Sequence, residues 1–265
     1  MELRVLPPVQ HPVQHQETWP EARRALRAAS ELGGFFALDT DPATPGAWEP
    51  VGALDPATLH RRIRDGRDLL AGLAAVPPSG IEERVVASVV MQGLAARLIG
   101  PPLGAAVLAG VGLELSPDQV LWQPEAPGPV PMLVLDAGCW PLAVPGEAID
   151  ALRTRVLERL VRPLVDVVRS VARLAPALVW GNVASAVAGL AHTVAAERRA
   201  HAAAAHQLAR GLLDEPPLAG LGRFERDRAF RRRTCCLYYR IPGAEVCGDC
   251  PLRDRGRDAY RRRTG

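Results

Sequence analysis

Residues 231–252 read RRRTCCLYYRIPGAEVCGDCPL, and four of the chain's five cysteines fall in this run: Cys235, Cys236, Cys247 and Cys250. Their spacing is C-C-x10-C-x2-C. Cys247 and Cys250 have the two-residue gap by which a turn folds two sulfurs towards one metal, and Gly248 eases that turn. Cys235 and Cys236 are adjacent, and adjacent side chains in extended backbone point to opposite faces. Holding both on a single ion strains the chain, so a structural zinc site fits poorly. A two-iron cluster spreads its ligand positions over two metals and relaxes that demand. A disulfide between neighbours needs an unusual peptide geometry, because S–S bonding constrains the Cα separation. The spacing favours an iron–sulfur cluster, leaves zinc open and places a disulfide last.

Charge follows the cysteines. From Arg223 to Gly265 there are 13 Arg against 6 acids, a net of +7, whereas the first 222 residues hold 19 Arg against 23 acids, a net of −4. A mildly acidic body therefore ends in a basic tail, and Pro216, Pro217, Gly220 and Gly222 mark the junction. Four thiolates, two sulfides and two ferric ions leave a net negative charge that reduction increases, so arginines near the cysteines stabilise the reduced state. Arg231, Arg232, Arg233, Arg240 and Arg253 are the neighbours in sequence. Without the cysteines the same arginines read as a solvated or nucleic-acid-binding tail.

The chain of 265 residues, 48% hydrophobic and 23% charged, is long and apolar enough to bury a core without covalent staples, which excludes global disorder. All 32 basic residues are Arg; the absence of Lys excludes a P-loop nucleotidase, a Schiff-base enzyme and any lysine-based catalyst. The N-terminal MELRVLPPVQHPVQ holds no apolar run fit for a signal peptide. Residues 99–113 are too short for a membrane span and 127–146 contain Asp136 and several prolines. A cytoplasmic protein is expected, where clustered thiols bind metal or do redox chemistry.

The body reads as mainly helical. Asp55-Pro56 opens a helix towards Leu70, and Ser79 to Glu82 fits a capping box opening a helix to Leu98. Residues 101–113 fit a separate buried helix. Residues 148–174 form a long helical pattern in which Pro163 predicts a kink or break near Val161. Pro176 marks a boundary, residues 177–197 suit close helix packing, and 198–213 continue as an Ala-rich helix. Residues 35–39, 119–122, 132–135 and 139–144 are strand candidates. The fold class expected is α+β, a predominantly helical body with a small sheet and a C-terminal iron–sulfur module.

At the tail cysteines the sequence resembles the C-terminal [2Fe–2S] motif of the FhuF-type ferric-siderophore reductases. The preceding Arg run, Leu237-Tyr238-Tyr239, Pro242-Gly243 and Cys250-Pro251 are similar to that family as well, and residues 178–185, LVWGNVAS, resemble its Trp-x-Asn segment. The resemblance implies a body over residues 1–222 that binds siderophore and a basic [2Fe–2S] module over 223–265. It implies Cys235, Cys236, Cys247 and Cys250 as cluster ligands, and one-electron reduction of Fe(III)–siderophore with release of Fe(II) for iron assimilation. Siderophores offer hard oxygen donors that prefer Fe(III), so reduction loosens the metal, and no nucleophile or general acid is required. The implied partners are a ferric siderophore and an electron donor such as a ferredoxin or reductase, with no nucleic acid. Peripheral attachment at the inner face of the membrane stays open. The rival reading is a zinc-stabilised basic tail on a module that binds nucleic acid or protein.

Arg231, Arg232, Arg233, Arg240, Trp180 and Asn182 are the candidates for tuning the cluster or meeting substrate. Trp180 also reads as core, and Asn182, the chain's one Asn, as a backbone-bonded polar residue. His192, His201 and His206 have spacings that do not share a helix face. Cys139 beside Trp140 reads as a buried free thiol. Arg261 to Arg263 would attract an acidic carrier or an anionic chelate.

Overall fold

The computed structural model describes residues 12–126, 130–225 and 229–253. Seven α-helices occur among them: α1 Pro12–Ser30, α2 Pro56–Ala74, α3 Glu83–Ala109, α4 Pro145–Ala151, α5 Arg162–Val171, α6 Pro176–Glu197 and α7 Ala202–Asp214. Between them run the short strands β1 Glu49–Pro50, β2 Val111–Glu114, β3 Val120–Trp122, β4 Met132–Val134 and β5 Gly138–Pro141, and after them the hairpin β6 Gly222–Phe224 with β7 Phe230–Arg232. The protein is a helical body with small antiparallel sheets, as expected. Arg261 to Arg263 lie outside the described residues.

Two helices form the centre. In α3, 17 of 27 residues are buried, and in α6, 13 of 22 are, so neither helix has a polar face wide enough for the surface. They pack on each other, α1 and α2 cover α3, and α7 covers α6. Both are long and apolar enough to cross a membrane, which the sequence reading did not credit, but 78% and 72% of their most apolar stretches are buried inside the protein.

Several boundaries follow local chemistry. The Thr58 N–H donates to Asp55 Oδ1 at 2.7 Å, capping α2 with Pro56 in its first turn. The capping box at Ser79 does not form: Pro78–Gly80 is a 3-10 turn and α3 starts later, behind Glu82, with no side-chain cap. Pro101 and Pro102 do not separate two helices either, since α3 runs through them to Ala109. The burial of that stretch among α1, the 34–36 turn and α6 holds it helical where propensity alone would break it. Gly100 and Gly104 make the close approach possible. A Cβ at Gly100 would lie 2.2 Å from the Phe35 carbonyl oxygen, and one at Gly104 2.7 Å from Ala29 Cβ.

The stretch 148–174 does not break at Pro163: the backbone stays right-handed helical through Val161 and Arg162, and only its winding changes there, from the π-turns of Leu152–Val161 to α5, which carries Pro163 in its first turn. The wide π-turns place Arg155 and Arg159 on Glu114 of β2, at 2.7 and 2.8 Å. α6 begins at Pro176, but a 3-10 turn at Arg199–His201 separates it from α7.

The strands divide into three small sheets. β3 pairs with β1 and β4, as the 119–122 and 132–135 patterns anticipate. β5 does not join them; it pairs with β2 in the register Gly112↔Trp140, where the indole packs over the bare glycine. The candidate strand at 35–39 is a 3-10 turn followed by one parallel bridge, Asp39 to Leu133.

Gly100→Ala should lower stability by about 1–3 kcal/mol, because its methyl meets a backbone carbonyl that moves only with its whole turn. Gly72→Ala on the open face of α2, where a Cβ meets nothing within 4 Å, should instead leave stability unchanged or raise it by about 0.5–1 kcal/mol. Urea denaturation of the two variants side by side checks both signs.

Candidate metal centre

The tail folds back onto α3 and α6. Leu237 and Ile241 enter the main core, while Cys236 and Cys250 are buried and Cys235 and Cys247 partly so. A Cβ on Gly181 of α6 would fall 2.0 Å from Thr234 Oγ1, so the helix accepts the chain before Cys235 only because residue 181 has no side chain.

The Cys236 sulfur lies beside those of Cys235 and Cys247. Cys236 Sγ lies 3.5 Å from Cys247 Sγ and is hydrogen-bonded to the Cys235 thiol, and Cys235 in turn feels the charge of Cys250. Leu237 follows the adjacent cysteines with a left-handed φ of 68°, which turns the chain sharply after Cys236, and its N–H donates to Cys235 Sγ at 3.3 Å. The Leu252 N–H does the same for Cys250 Sγ at 3.4 Å. In the CxxC turn the Cys250 N–H donates to the Cys247 carbonyl at 3.1 Å.

Arg232 is the electrostatic centre of the site. Its side chain has no exposed surface. Nε donates to Asp249 Oδ2 at 2.8 Å, one terminal nitrogen to Asn182 Oδ1 at 2.8 Å and the other to Gln92 Oε1 at 3.2 Å. Asn182 Nδ2 donates to the Ser88 carbonyl and to Ser88 Oγ, each at 2.9 Å, and the Ser88 hydroxyl donates to the Cys236 carbonyl at 2.7 Å. A continuous polar chain thus runs from the CxxC turn through both central helices to the Cys-Cys pair. Burial opposes the charge on Arg232, yet Asp249, the Cys236 thiolate and Cys247 hold its pKa above the ordinary arginine value.

The thiols share charge unequally. Hydrogen bonds from Cys235 and Cys247, with Arg232 nearby, bring Cys236 down to about 2, whereas the bond to that thiolate together with burial pushes Cys235 and Cys247 up. A metal bound by these thiols would take the place of the retained protons. Among the described residues no group of three or more His, Cys, Asp or Glu side chains is placed to hold a single metal ion. Four soft thiol donors, two backbone N–H groups aimed at sulfur and a buried guanidinium fit a cluster whose ligands are divided between two irons.

The other candidates are placed as follows. Arg231 donates to the Cys250 carbonyl at 2.8 Å, bracing the CxxC turn from outside. Arg240 pairs with Glu82 ahead of α3 at 2.8 Å. Arg233 is exposed, and its backbone N–H donates to the Leu221 carbonyl. Trp180 is core, with the Arg162 guanidinium stacked 5.1 Å from its ring centre. Cys139 stands apart, its thiol on the Thr18 carbonyl at 3.5 Å and its pKa pushed up by burial. Ser88, Gln92, Asp249 and Leu237 were not singled out from sequence. Ser88 and Gln92 carry one usable signal, as polar residues i, i+4 in an otherwise apolar helix.

An open, largely apolar cleft of about 720 Å³ lies between α3, α6 and the β6–β7 hairpin. Cys236 and Cys247 form part of its wall, with Tyr238, Gln92, Ser185 and His192. Of the four cysteines, Cys235 and Cys250 do not border it.

Such a site, four tail thiols braced by a buried arginine against a helical body, is that of an iron–sulfur protein. More narrowly, residues 232–252 match the family model of the FhuF 2Fe-2S C-terminal domain, a segment that starts at Arg232 and contains all four cysteines. The cofactor is accordingly a [2Fe–2S] cluster. No curated protein matches the chain.

Asn182→Ala removes an acceptor from Arg232 and a donor from Ser88, and each orphaned buried group costs about 1–3 kcal/mol. The variant should unfold at lower urea and lose its visible absorbance over the same transition. Cys250→Ser should bleach or destabilise the cluster, while Cys139→Ser leaves the absorption and EPR spectra unchanged.

Proposed function

We propose that the protein is a ferric-siderophore reductase: a chelate seated in the 720 Å³ cleft receives one electron from the [2Fe–2S] cluster, and the iron is released as Fe(II). Cys235, Cys236, Cys247 and Cys250 are the ligands. The observation that carries this reading is the shared wall, since a molecule in the cleft touches Cys236 and Cys247 without any intervening element. The match to the FhuF 2Fe-2S domain supports it.

The chain's own residues orient and insulate. Val89, Gly93, Ala186 and Leu190 supply an apolar floor that excludes water, and Gln92, Ser185 and Thr193 supply neutral hydrogen-bonding groups for an oxygen-rich chelate. Arg232 sits behind the cysteines, where a fixed positive charge stabilises the extra electron. An electron donor such as a ferredoxin or a reductase, in the cytoplasm, completes the reading.

Anaerobic stopped-flow mixing of dithionite-reduced protein with a ferric siderophore tests it. Reoxidation should be fast and saturable, with one Fe(II) trapped per cluster oxidised; reoxidation no faster than in buffer alone removes the proposal. Gly189→Trp provides the second test. Gly189 is exposed on the cleft side of α6, and a side chain there enters open space. The variant should keep the spectrum of the cluster and its oxidation by small oxidants, while reduction of the siderophore falls about tenfold or more.

A further inference from the structure

A second cavity of about 350 Å³ lies between α2 and α3. Phe35, Val89 and Gly93 line both it and the cleft at the cysteines, so the two spaces adjoin across these residues. Phe35 is 48% exposed and faces both spaces. The walls of the second cavity are mainly apolar, including Leu69, Leu70 and Val90.

Arg97 lies in this wall and is only 6% exposed. Its Nε donates to the Val130 carbonyl at 2.9 Å and one terminal nitrogen to the Gly34 carbonyl at 2.5 Å. Among the described residues it has no carboxylate within ion-pair distance. The cavity's two acids are already engaged: Asp65 acts on Arg62, and Glu125 lies 3.7 Å from Arg61. Burial alone shifts Arg97, downward, with no counter-charge to offset it. An arginine stays protonated all the same. A buried charge is costly unless it is paired, and two carbonyl bonds need only a neutral donor. Arg232 shows the contrast: equally buried, it has Asp249.

We propose that the cavity is an anion subsite of the cleft, binding a carboxylate carried on an apolar arm of the substrate. The arm passes Phe35 and packs on Leu69 and Leu70 while its carboxylate meets the remaining terminal nitrogen of Arg97. The assignment to substrate rests on the reductase reading; the carboxylate chemistry does not.

A matched pair of chelates, one with a carboxylate on an apolar arm and the other its methyl ester, tests the subsite. Both are loaded with redox-inert Ga(III) and titrated by calorimetry into the cluster-containing protein. The acid should bind about tenfold or more tightly than the ester, the range of a desolvated charge-assisted contact. Arg97→Gln should abolish that preference while the ester binds as before, and Arg97→Lys should restore part of it. Should Arg97→Gln fail to fold, Leu69→Glu, at a 52% exposed position on the rim, should weaken the acid, which its charge repels, by several-fold more than the ester, which loses only packing; an equal loss of both overturns the proposal. Equal binding of acid and ester to the native protein overturns the proposal, as does an equal loss of both in Arg97→Gln. If the Ga(III) acid shows the Arg97-dependent preference but the Fe(III) chelates fail to reoxidise the reduced cluster, the subsite stands and the reductase reading falls. If both Fe(III) chelates reoxidise it with no preference, the reverse holds.

Discussion

A buried guanidinium is tolerable only when its charge is matched and its N–H groups are satisfied, and Arg232 meets both conditions with partners from three separate parts of the chain. Asp249 comes from the CxxC turn, Asn182 from α6 and Gln92 from α3. Each partner alone leaves the charge undersupplied, so the arginine stays buried only while the tail and both central helices are in register. Asn182 and Ser88 extend the constraint to the Cys236 carbonyl. The positions of the cysteines are therefore set by the packing of α3 against α6. This explains why two helices otherwise built of small apolar residues each carry buried polar groups at this level: Ser88 on one, Asn182 and Ser185 on the other.

The same arrangement separates the roles of the basic residues. Arg231, Arg232 and Arg233 are indistinguishable in composition, and alternation along β7 sorts them. Arg232 points inward with no exposed side-chain surface, Arg231 braces the turn through the Cys250 carbonyl, and Arg233 is exposed. Only the inward member lies where its charge acts on the thiolates without screening by solvent. Among the described arginines of the tail, net basicity is thus a poor measure of the effect on the thiolates, where the charge of Arg232 acts directly.

What the sequence makes legible and what it hides divide along physical lines. Local rules carry their own evidence: the Asp55 cap, the change of helical winding just before Pro163, the start of α6 at Pro176 and the metal-binding spacing of the cysteines all depend on a few neighbouring residues. The misread features depend on distant ones. Pro101 and Pro102 stay inside α3 because α1 and the 34–36 turn close over Gly100 and Gly104, and a proline's local penalty says nothing of that packing. β5 pairs with β2 instead of extending the β3–β4 pair, since its Trp140 needs the space above Gly112. Asn182 could be noticed as the chain's one asparagine, but its partners lie 94 and 50 residues away.

The adjacent cysteines show how these levels meet. Extended backbone would send Cys235 and Cys236 to opposite faces; directly after the pair the chain turns left-handed at Leu237, whose N–H donates back to Cys235 Sγ. Glycine would take that conformation without strain. Leucine accepts a cost of about 1–3 kcal/mol, but its side chain is buried in the main core and gains about 1.5–3 kcal/mol there. A glycine would make the turn and leave it unanchored; leucine makes the same turn and fixes it to α3 and its neighbours. The ligand loop thereby acquires the rigidity of the helical core at the residue where its backbone is most strained. A cluster held by these cysteines would need that rigidity, because redox poise depends on N–H groups held at constant distance from sulfur, as the Leu237 N–H is held on Cys235 Sγ.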